Sequence, residues 1–370
     1  MREKYEVTVL GATAAGYVAA LLLAKKGLEV MVVDAPAARA ESPLADWVPA
    51  DVFAVCPPLK SVRSAAIDDA FRTVHFHSED LQKSASHKER AAAGYTFRSE
   101  QLLAVLDQQA HKARVARLRL DAMPRLDPQE SQVVLRSTGG EEIRSSLLLI
   151  AQGLPSDVMS DLALPGRNVP GGKASACGLD APLPARAEAP EGLHLVAYNR
   201  GERLGMFFAA GKTVHVRVVS NQADQPAGVD GLSQLISRLQ SAGLLPKLEL
   251  AKATAAIWRP PGGVALELET HLAKRTLLVG TAGGFASALT GQTLDPTVRS
   301  ALVAAEVAAK ALRSRQTQDV LSAYKSQWRD ELADRIRPTG TSLQMLMPMV
   351  LSNKAMAGRF TRAFLYGQAI

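Results

Sequence analysis

The sequence predicts an α/β fold with a parallel sheet covered by helices, an antiparallel sheet, and a helical C-terminus. Three observations carry that expectation. Residues 7–35, VTVLGATAAGYVAALLLAKKGLEVMVVDA, read as a strand, a glycine turn, a helix and a second strand closing on an acid. From His194 the pattern changes to alternating strands, among them KTVHVRVVS with Val214, Val216 and Val218 on one face. Beyond Pro296 the chain becomes Ala- and Leu-rich at helical spacing. The first unit therefore reads as a Rossmann-like, dinucleotide-binding domain.

Val7–Leu10 is a short β-branched run bounded by glycine, as suits a strand buried on both faces. Gly16–Lys26 follows as a helix that Gly27 stops, and Glu29–Val33 forms the next strand, with Asp34 at its C-terminal end. Residues 36–95 predict loops around short elements. Within them, His75 and His77 alternate in TVHFHS; a metal needs more ligands than this pair, so a surface strand is expected. Phe97–Arg117 predicts a helix with Leu102, Leu106 and Ala110 on one face and Arg98 at its start. Strands follow at Arg117–Leu120, Gln132–Ser137 and Glu141–Ile150, the last two joined by a turn at STGGEE. The Pro- and Gly-rich stretch Pro165–Gly192 reads as a boundary. Next come HLVAYN, RLGMFFAA and KTVHVRVVS as strands, a helix near 230–243, a buried strand and glycine turn in RTLLVGTAGGF, and the helices Pro296–Leu312 and Gln318–Lys354. The expected organisation is a discontinuous domain over 1–165 and 271–330, a substrate-type sheet domain over 166–270, and C-terminal helices over 331–370.

The chain has 370 residues, 47% hydrophobic, enough for a sizeable core. Its 43 Lys and Arg against 36 Asp and Glu give a net charge of +7, but the cations are scattered and aromatics make up only 5%, so no nucleic-acid face is expected. Cys56 and Cys177 lie far apart without metal or disulfide spacing, which fits a reducing, cytoplasmic setting. No apolar run approaches the roughly 18 residues that span a bilayer, so a soluble protein with at most peripheral membrane contact is expected. Met345, Met347 and Met349 suit either a core or a lipid surface.

In the G-x-G-x-x-G fingerprint the first glycine makes the tight turn, the second admits the pyrophosphate and the third lets helix and strand pack closely. Here GATAAG keeps Gly11 and Gly16 but sets Thr13 in the middle position, followed by Ala14. A Cβ at position 13 intrudes where a pyrophosphate oxygen approaches the backbone, and a β-branched residue resists positive φ, so Thr13 is expected to push a phosphate outward or abolish its site. Asp34 lies 18 residues after Gly16, where an acid takes ribose hydroxyls or, alternatively, caps a turn before Pro36.

Three later segments carry a resemblance. RSEQLLAVLDQQA, headed by Arg98, resembles the arginine-headed helix of the FAD-dependent monooxygenase and geranylgeranyl reductase superfamily. LLLIAQGLPSDVMSDLAL is similar to that superfamily's A-D-G segment, and LLVGTAGGFASALTGQTLDPTVRSALVAAEVAAKAL to its G-D-A-A-G-F and P-L-T-G-E-G segment. The resemblance implies cofactor contacts at Gly11, Thr13, Ala14, Gly16, Asp34, Arg98, Gln152, Gly280, Thr281, Ala282, Gly291 and Gln292. It also implies FAD as cofactor, NAD(P)H as a candidate electron donor, and an apolar prenyl or aromatic substrate near Tyr198, Met206–Phe208 and Trp258, residues that equally suit a core. No catalytic residue, metal site or oligomeric state is implied.

The departures fall on the cofactor side. Thr13 replaces the middle glycine, Gln152 and Thr281 each replace an acid, and Ala288, Gln292 and Thr293 alter P-L-T-G-E-G. Each charge-assisted hydrogen bond lost in a buried site costs about 1.5–3 kcal/mol. Three readings follow: an FAD-dependent oxidoreductase, a flavoprotein fold that has lost FAD and acts as a binding or partner protein, and a groove reused for another anionic or nucleotide ligand.

Overall fold

The structure is a computed structural model that describes residues 4–37, 40–164, 174–199 and 201–368. It opens with strand β1 (Lys4–Leu10), helix α1 (Ala14–Lys25) and strand β2 (Val30–Asp34). The stretch expected to hold loops around short elements carries β3 (Asp46–Pro49), α2 (Asp51–Val55), α3 (Pro57–Ala66), β4 (Ile67–Phe71), β5 (Thr73–His77), β6 (Ser84–Lys88) and β7 (Gly94–Phe97). Helix α4 (Ser99–Lys112), strands β8 (Ala116–Arg119), β9 (Arg125–Pro128), β10 (Val133–Arg136) and β11 (Glu142–Ile150), and the short α5 (Ser156–Ser160) follow.

The middle of the chain forms β12 (Ser175–Pro182), β13 (Leu193–Tyr198), β14 (Arg203–Ala210), β15 (Thr213–Ser220), α6 (Val229–Ser241) and β16 (Thr254–Trp258). The last part holds α7 (Val264–Glu267), β17 (Leu272–Ala273), β18 (Thr276–Leu278), α8 (Leu294–Leu312), α9 (Thr317–Ser322), α10 (Tyr324–Ile336), α11 (Leu343–Ser352) and α12 (Lys354–Tyr366).

The first sheet runs β17-β18-β11-β1-β2-β8, and β18, β11, β1, β2 and β8 are parallel. Alternation along the strands feeds two cores. Val7, Val9, Val32, Leu147 and Leu149 meet α1, α4 and α8 on one face, while Leu10, Met31, Leu148 and Ile150 meet the β9–β10 hairpin and α5 on the other. Alanines 301, 304, 305 and 308 of α8 are fully buried, small enough to bring that helix close to α1. Between β1 and β11 the chain order reverses, which makes a crevice at the C-terminal ends of these strands.

The second sheet runs β16-β12-β15-β14-β13-β5-β6 and is antiparallel apart from the β13–β5 pair. Two of its strands come from residues 73–88, far upstream of the rest. The boundary expected over Pro165–Gly192 holds strand β12, which pairs on both sides with β15 and β16; residues 165–173 of that stretch lie outside the described residues. Helix α6 covers one face of the sheet, and Trp47, Phe71, α11 and α12 cover the other. A small sheet β3-β7-β4 bridges the two halves.

The expected surface strand at His75 and His77 is instead largely buried. His75 stacks on His194 with ring centroids 4.3 Å apart, and His77 Nε2 lies 3.0 Å from His194 Nδ1. The parallel pairing of β5 with β13 creates this stack, which burial keeps uncharged by pushing His77 down to about 4 and His194 to about 2. Helix α11 splits its methionines, with Met347 buried and Met345 and Met349 exposed. Among the described residues no helix is long and apolar enough to cross a membrane.

Candidate functional site

The site begins where β1 ends. Gly11 turns the chain at φ +121°, and a Cβ there would stand 2.9 Å from Cβ of Gln152. A Cβ on Gly16 would lie 2.0 Å from the Gly11 carbonyl oxygen, so both outer positions of the motif require glycine. Thr13 does not adopt the positive φ that its β-branch would resist; it is extended at φ −97° and caps α1. Its hydroxyl accepts from Gly16 N and donates to the Ala151 carbonyl, both at 3.1 Å. The conformational objection to threonine therefore falls away, because its side chain fastens the helix start to the end of β11.

A cavity of about 540 Å³ opens at the strand ends, within the size range of ligand and cofactor sites. Its walls include Thr13 and Ala14 at the α1 N-terminus, Asp34 after β2, Arg119 and Asp121 after β8, Gln152 after β11, and Thr281 after β18. Thr293, Leu294 and Thr297 bring the N-terminus of α8 to the same space. Two helix N-termini thus converge on it, each with a positive dipole end; α1 also offers the N–H groups of Ala14 and Ala15, whereas in α8 Asp295 N donates to Gln292 Oε1, Thr297 N donates to the Thr293 carbonyl and Pro296 has no N–H. Against them stand four carboxylates on the lining, Asp34, Glu41, Asp46 and Asp121, with Arg119 as a cation.

The polar side chains are held by the protein itself. Gln152 Nε2 donates to the Ala35 carbonyl at 3.1 Å, and Thr281 Oγ1 donates to Glu41 Oε1 at 3.3 Å. The turn carrying Thr281 is fixed from behind: Gly280 N donates to Ser300 Oγ, and His271 Nε2 meets the Gly283 carbonyl, both at 2.9 Å. Burial pushes His271 down to about 4, so it is a neutral donor to that carbonyl.

At the inner end, the Asp46 carboxylate pairs with Arg217 of the second sheet at 2.5 Å and accepts from Trp47 N at 2.8 Å. Arg217 lies over the rings of Phe208 and Trp258, at 5.5 and 5.4 Å. Burial raises the Asp46 carboxyl, and the Arg217 charge opposes that rise.

Of the twelve residues singled out in the sequence, Thr13, Ala14, Asp34, Gln152 and Thr281 line the cavity. Gly11, Gly16 and Gly280 shape the turns that bound it, and Ala282 packs in the core beneath. Gly291 and Gln292 stand behind the lining, where Gln292 Nε2 donates to the Trp47 carbonyl at 3.3 Å. Arg98 is not on the lining; largely exposed, it pairs with Asp68 at 3.5 Å, while its neighbours Phe97 and Ser99 face the cavity. The sequence reading missed Glu41, Asp46, Arg119 and Asp121. Arg119 and Asp121 had a signal, because they end a recognisable parallel strand, where ligands of such sheets gather.

A dinucleotide needs N–H donors for its phosphates, acceptors for its sugar hydroxyls and close backbone approach at the turn. The N–H groups at the start of α1 and the acceptors Asp34 and Thr281 supply the first two, and Thr13 stands on the lining at the turn itself, so the residues present fit the phosphates and sugars of such a group.

Comparison with known proteins agrees with this geometry. The family model described as "FAD binding domain" matches residues 4–336. Among solved structures, a geranylgeranyl bacteriochlorophyll reductase-like protein from Thermoplasma acidophilum superposes with a TM-score of 0.76 at 16% identity, covering 99% of this chain and 97% of that one. The p-nitrophenol 4-monooxygenase PnpA from Pseudomonas putida gives 0.69 at 16% identity, covering 99% and 94%. The flavin-dependent brominase Bmp2 gives 0.68 at 14% identity, covering 98% and 94%. At such identities the likeness establishes the fold. No curated protein matches the sequence.

Proposed function

The chain belongs to the FAD binding domain family, and from that membership we propose that it is an FAD-dependent oxidoreductase acting on an apolar small molecule, prenyl or aromatic in character. The observation that carries this reading is the convergence of two helix N-termini, Asp34 and the Thr281 turn on one cavity at the sheet's switch point. FAD, when bound, supplies the redox chemistry, with NAD(P)H as the external donor in this proposal. The chain's own part is positioning. The first-turn N–H groups of α1 take phosphate oxygens, Asp34 takes ribose hydroxyls, and Thr281 faces the second sugar. Met206, Phe208 and Trp258, expected beside a substrate, instead pack in the core around Trp47 beneath α11 and α12 and are not on the cavity lining, whose apolar part is Phe97, Leu102, Leu103, Leu120 and Leu294.

A second reading, a flavoprotein fold serving as a binding protein, is favoured by one feature. The polar groups of Thr13 and Gln152 are already bonded to the chain's own backbone. A near-ultraviolet and visible absorbance spectrum of the purified protein, followed by FAD titration, separates the two. A flavin band or saturable binding in the low micromolar range supports the oxidoreductase. A colourless protein that ignores FAD at high micromolar concentration removes it, and retained binding of ADP alone points to a groove reused for another nucleotide.

A further inference from the structure

The glycine turn after β18 carries a threonine, a neutral side chain, at the point where it meets the cavity. Its place relative to the phosphate site is fixed by contact: a Cβ on Gly280 would lie 3.0 Å from Cβ of Ala15, in the first turn of α1. The next residue, Thr281, therefore stands beside the helix start that receives phosphate. In any dinucleotide the group covalently next to the phosphates is a sugar or polyol, whose hydroxyls are donors seeking acceptors. Thr281 can accept only weakly alone, but its hydroxyl is committed as a donor to Glu41 Oε1 at 3.3 Å. That bond leaves the threonine oxygen able to accept and brings a carboxylate from a segment 240 residues away onto the same wall. Glu41 is half-buried and anchored, since the adjacent Ser42 bonds the Leu44 backbone through its hydroxyl and receives Ser99 Oγ on its carbonyl.

We propose that Glu41, coupled to Thr281, is the anionic acceptor for the hydroxyls of the sugar or polyol that follows the phosphates. The inference rests on the FAD reading above and adds a binding residue to it. It reverses the simple electrostatic expectation. A carboxylate near a dianionic pyrophosphate repels it, so removing that charge tightens binding unless the carboxylate holds a hydroxyl.

The test titrates FAD and ADP into the apoprotein of wild type, Glu41→Gln and the double variant Glu41→Gln/Thr281→Asp, with folding checked by circular dichroism. ADP lacks the second sugar and is the internal control. The expected result is FAD affinity about ten-fold weaker in Glu41→Gln, from losing charge assistance on a buried hydrogen bond, with ADP changed less than about two-fold. Thr281→Asp, which returns the acid to the turn, restores most of the FAD loss. FAD binding in Glu41→Gln equal to or tighter than wild type overturns the role of Glu41 and leaves the FAD reading standing. Equal weakening of FAD and ADP also overturns it, because the effect then lies at the phosphates or in the loop. A wild-type protein that does not bind FAD overturns both.

Discussion

Replacing Thr13 by alanine removes two hydrogen bonds that the structure assigns to one hydroxyl. The cap on Gly16 N contributes about 1 kcal/mol, the usual cost of a Thr-to-Ala change at a helix N-cap. The bond to the Ala151 carbonyl satisfies a residue with no exposed surface, and a buried acceptor left unmade costs about 1–3 kcal/mol. Together the loss is about 2–3 kcal/mol, since the two bonds share an oxygen and do not add fully. At 370 residues, where the unfolding entropy is about 0.8 kcal/mol/K, that lowers the melting temperature by about 3–4 °C. Thr13→Ser keeps the oxygen and is expected to melt within about 1 °C of wild type on the same scale. Thr13→Gly restores the middle glycine of the motif; it loses the Ala151 bond but only a few tenths of a kcal/mol at the cap. Since Thr13 is already extended, the glycine variant is expected to bind FAD within about three-fold of wild type, a change of under 1 kcal/mol. Thermal unfolding of the three variants, with FAD titration of each, provides the check. An alanine variant as stable as wild type, or a serine variant as damaged as alanine, would refute the assignment of Thr13 as the fastener between α1 and β11.

Three further outcomes follow from the structure. Gly16→Ala forces a Cβ to 2.0 Å from the Gly11 carbonyl, so loss of FAD binding and a sharp fall in melting temperature are expected, visible in the same assays. Arg217→Met strands the buried Asp46 carboxylate and is expected to cost about 3–5 kcal/mol, whereas Arg217→Met/Asp46→Leu recovers much of it; denaturant titrations of the cycle measure the coupling. His271 is held neutral down to about pH 4, while the unfolded chain protonates near 6.5, so its contribution is complete above pH 6.5 and is lost as pH falls toward 4. At pH 5 its share of the loss is about 2 kcal/mol, and His271→Gln, which keeps a donor for the Gly283 carbonyl, is expected to reduce the fall in melting temperature between pH 7 and 5, leaving the part that His77 and His194 contribute.

The parts of the fold legible in the sequence are those with strong local signals. The β-branched runs of β1, β2 and β11, the alanine-rich α8 and the valine alternation of β15 each announce their type within a few residues. The segment over 36–95 resists such reading because its elements are short and their burial is decided by distant partners. β5 and β6 join a sheet whose other strands lie more than eighty residues downstream. The same cause hides the histidine stack, since His194 meets His77 only through the β5–β13 pairing. Strand β12, SACGLDAP, carries glycine, aspartate and proline and so reads as a loop. It is stabilised by pairing on both edges, and its glycine gives room to Leu44, Trp258 and Arg217. At the site, the glycine turn and Asp34 are legible because motif spacing encodes them. Glu41 and Asp46 are not, because the loop and the short strand β3 that carry them reach the cavity along a path only tertiary contacts define.

On the proposed function, the crevice at the ends of β1, β2, β8, β11 and β18 holds a dinucleotide. The most direct measurement is a crystal structure after soaking with FAD at high concentration. Continuous ligand density is expected from Asp34 and Arg119, across the first turn of α1, to Thr281 and Glu41. Density elsewhere on the molecule, or an empty crevice in crystals saturated with FAD, contradicts it.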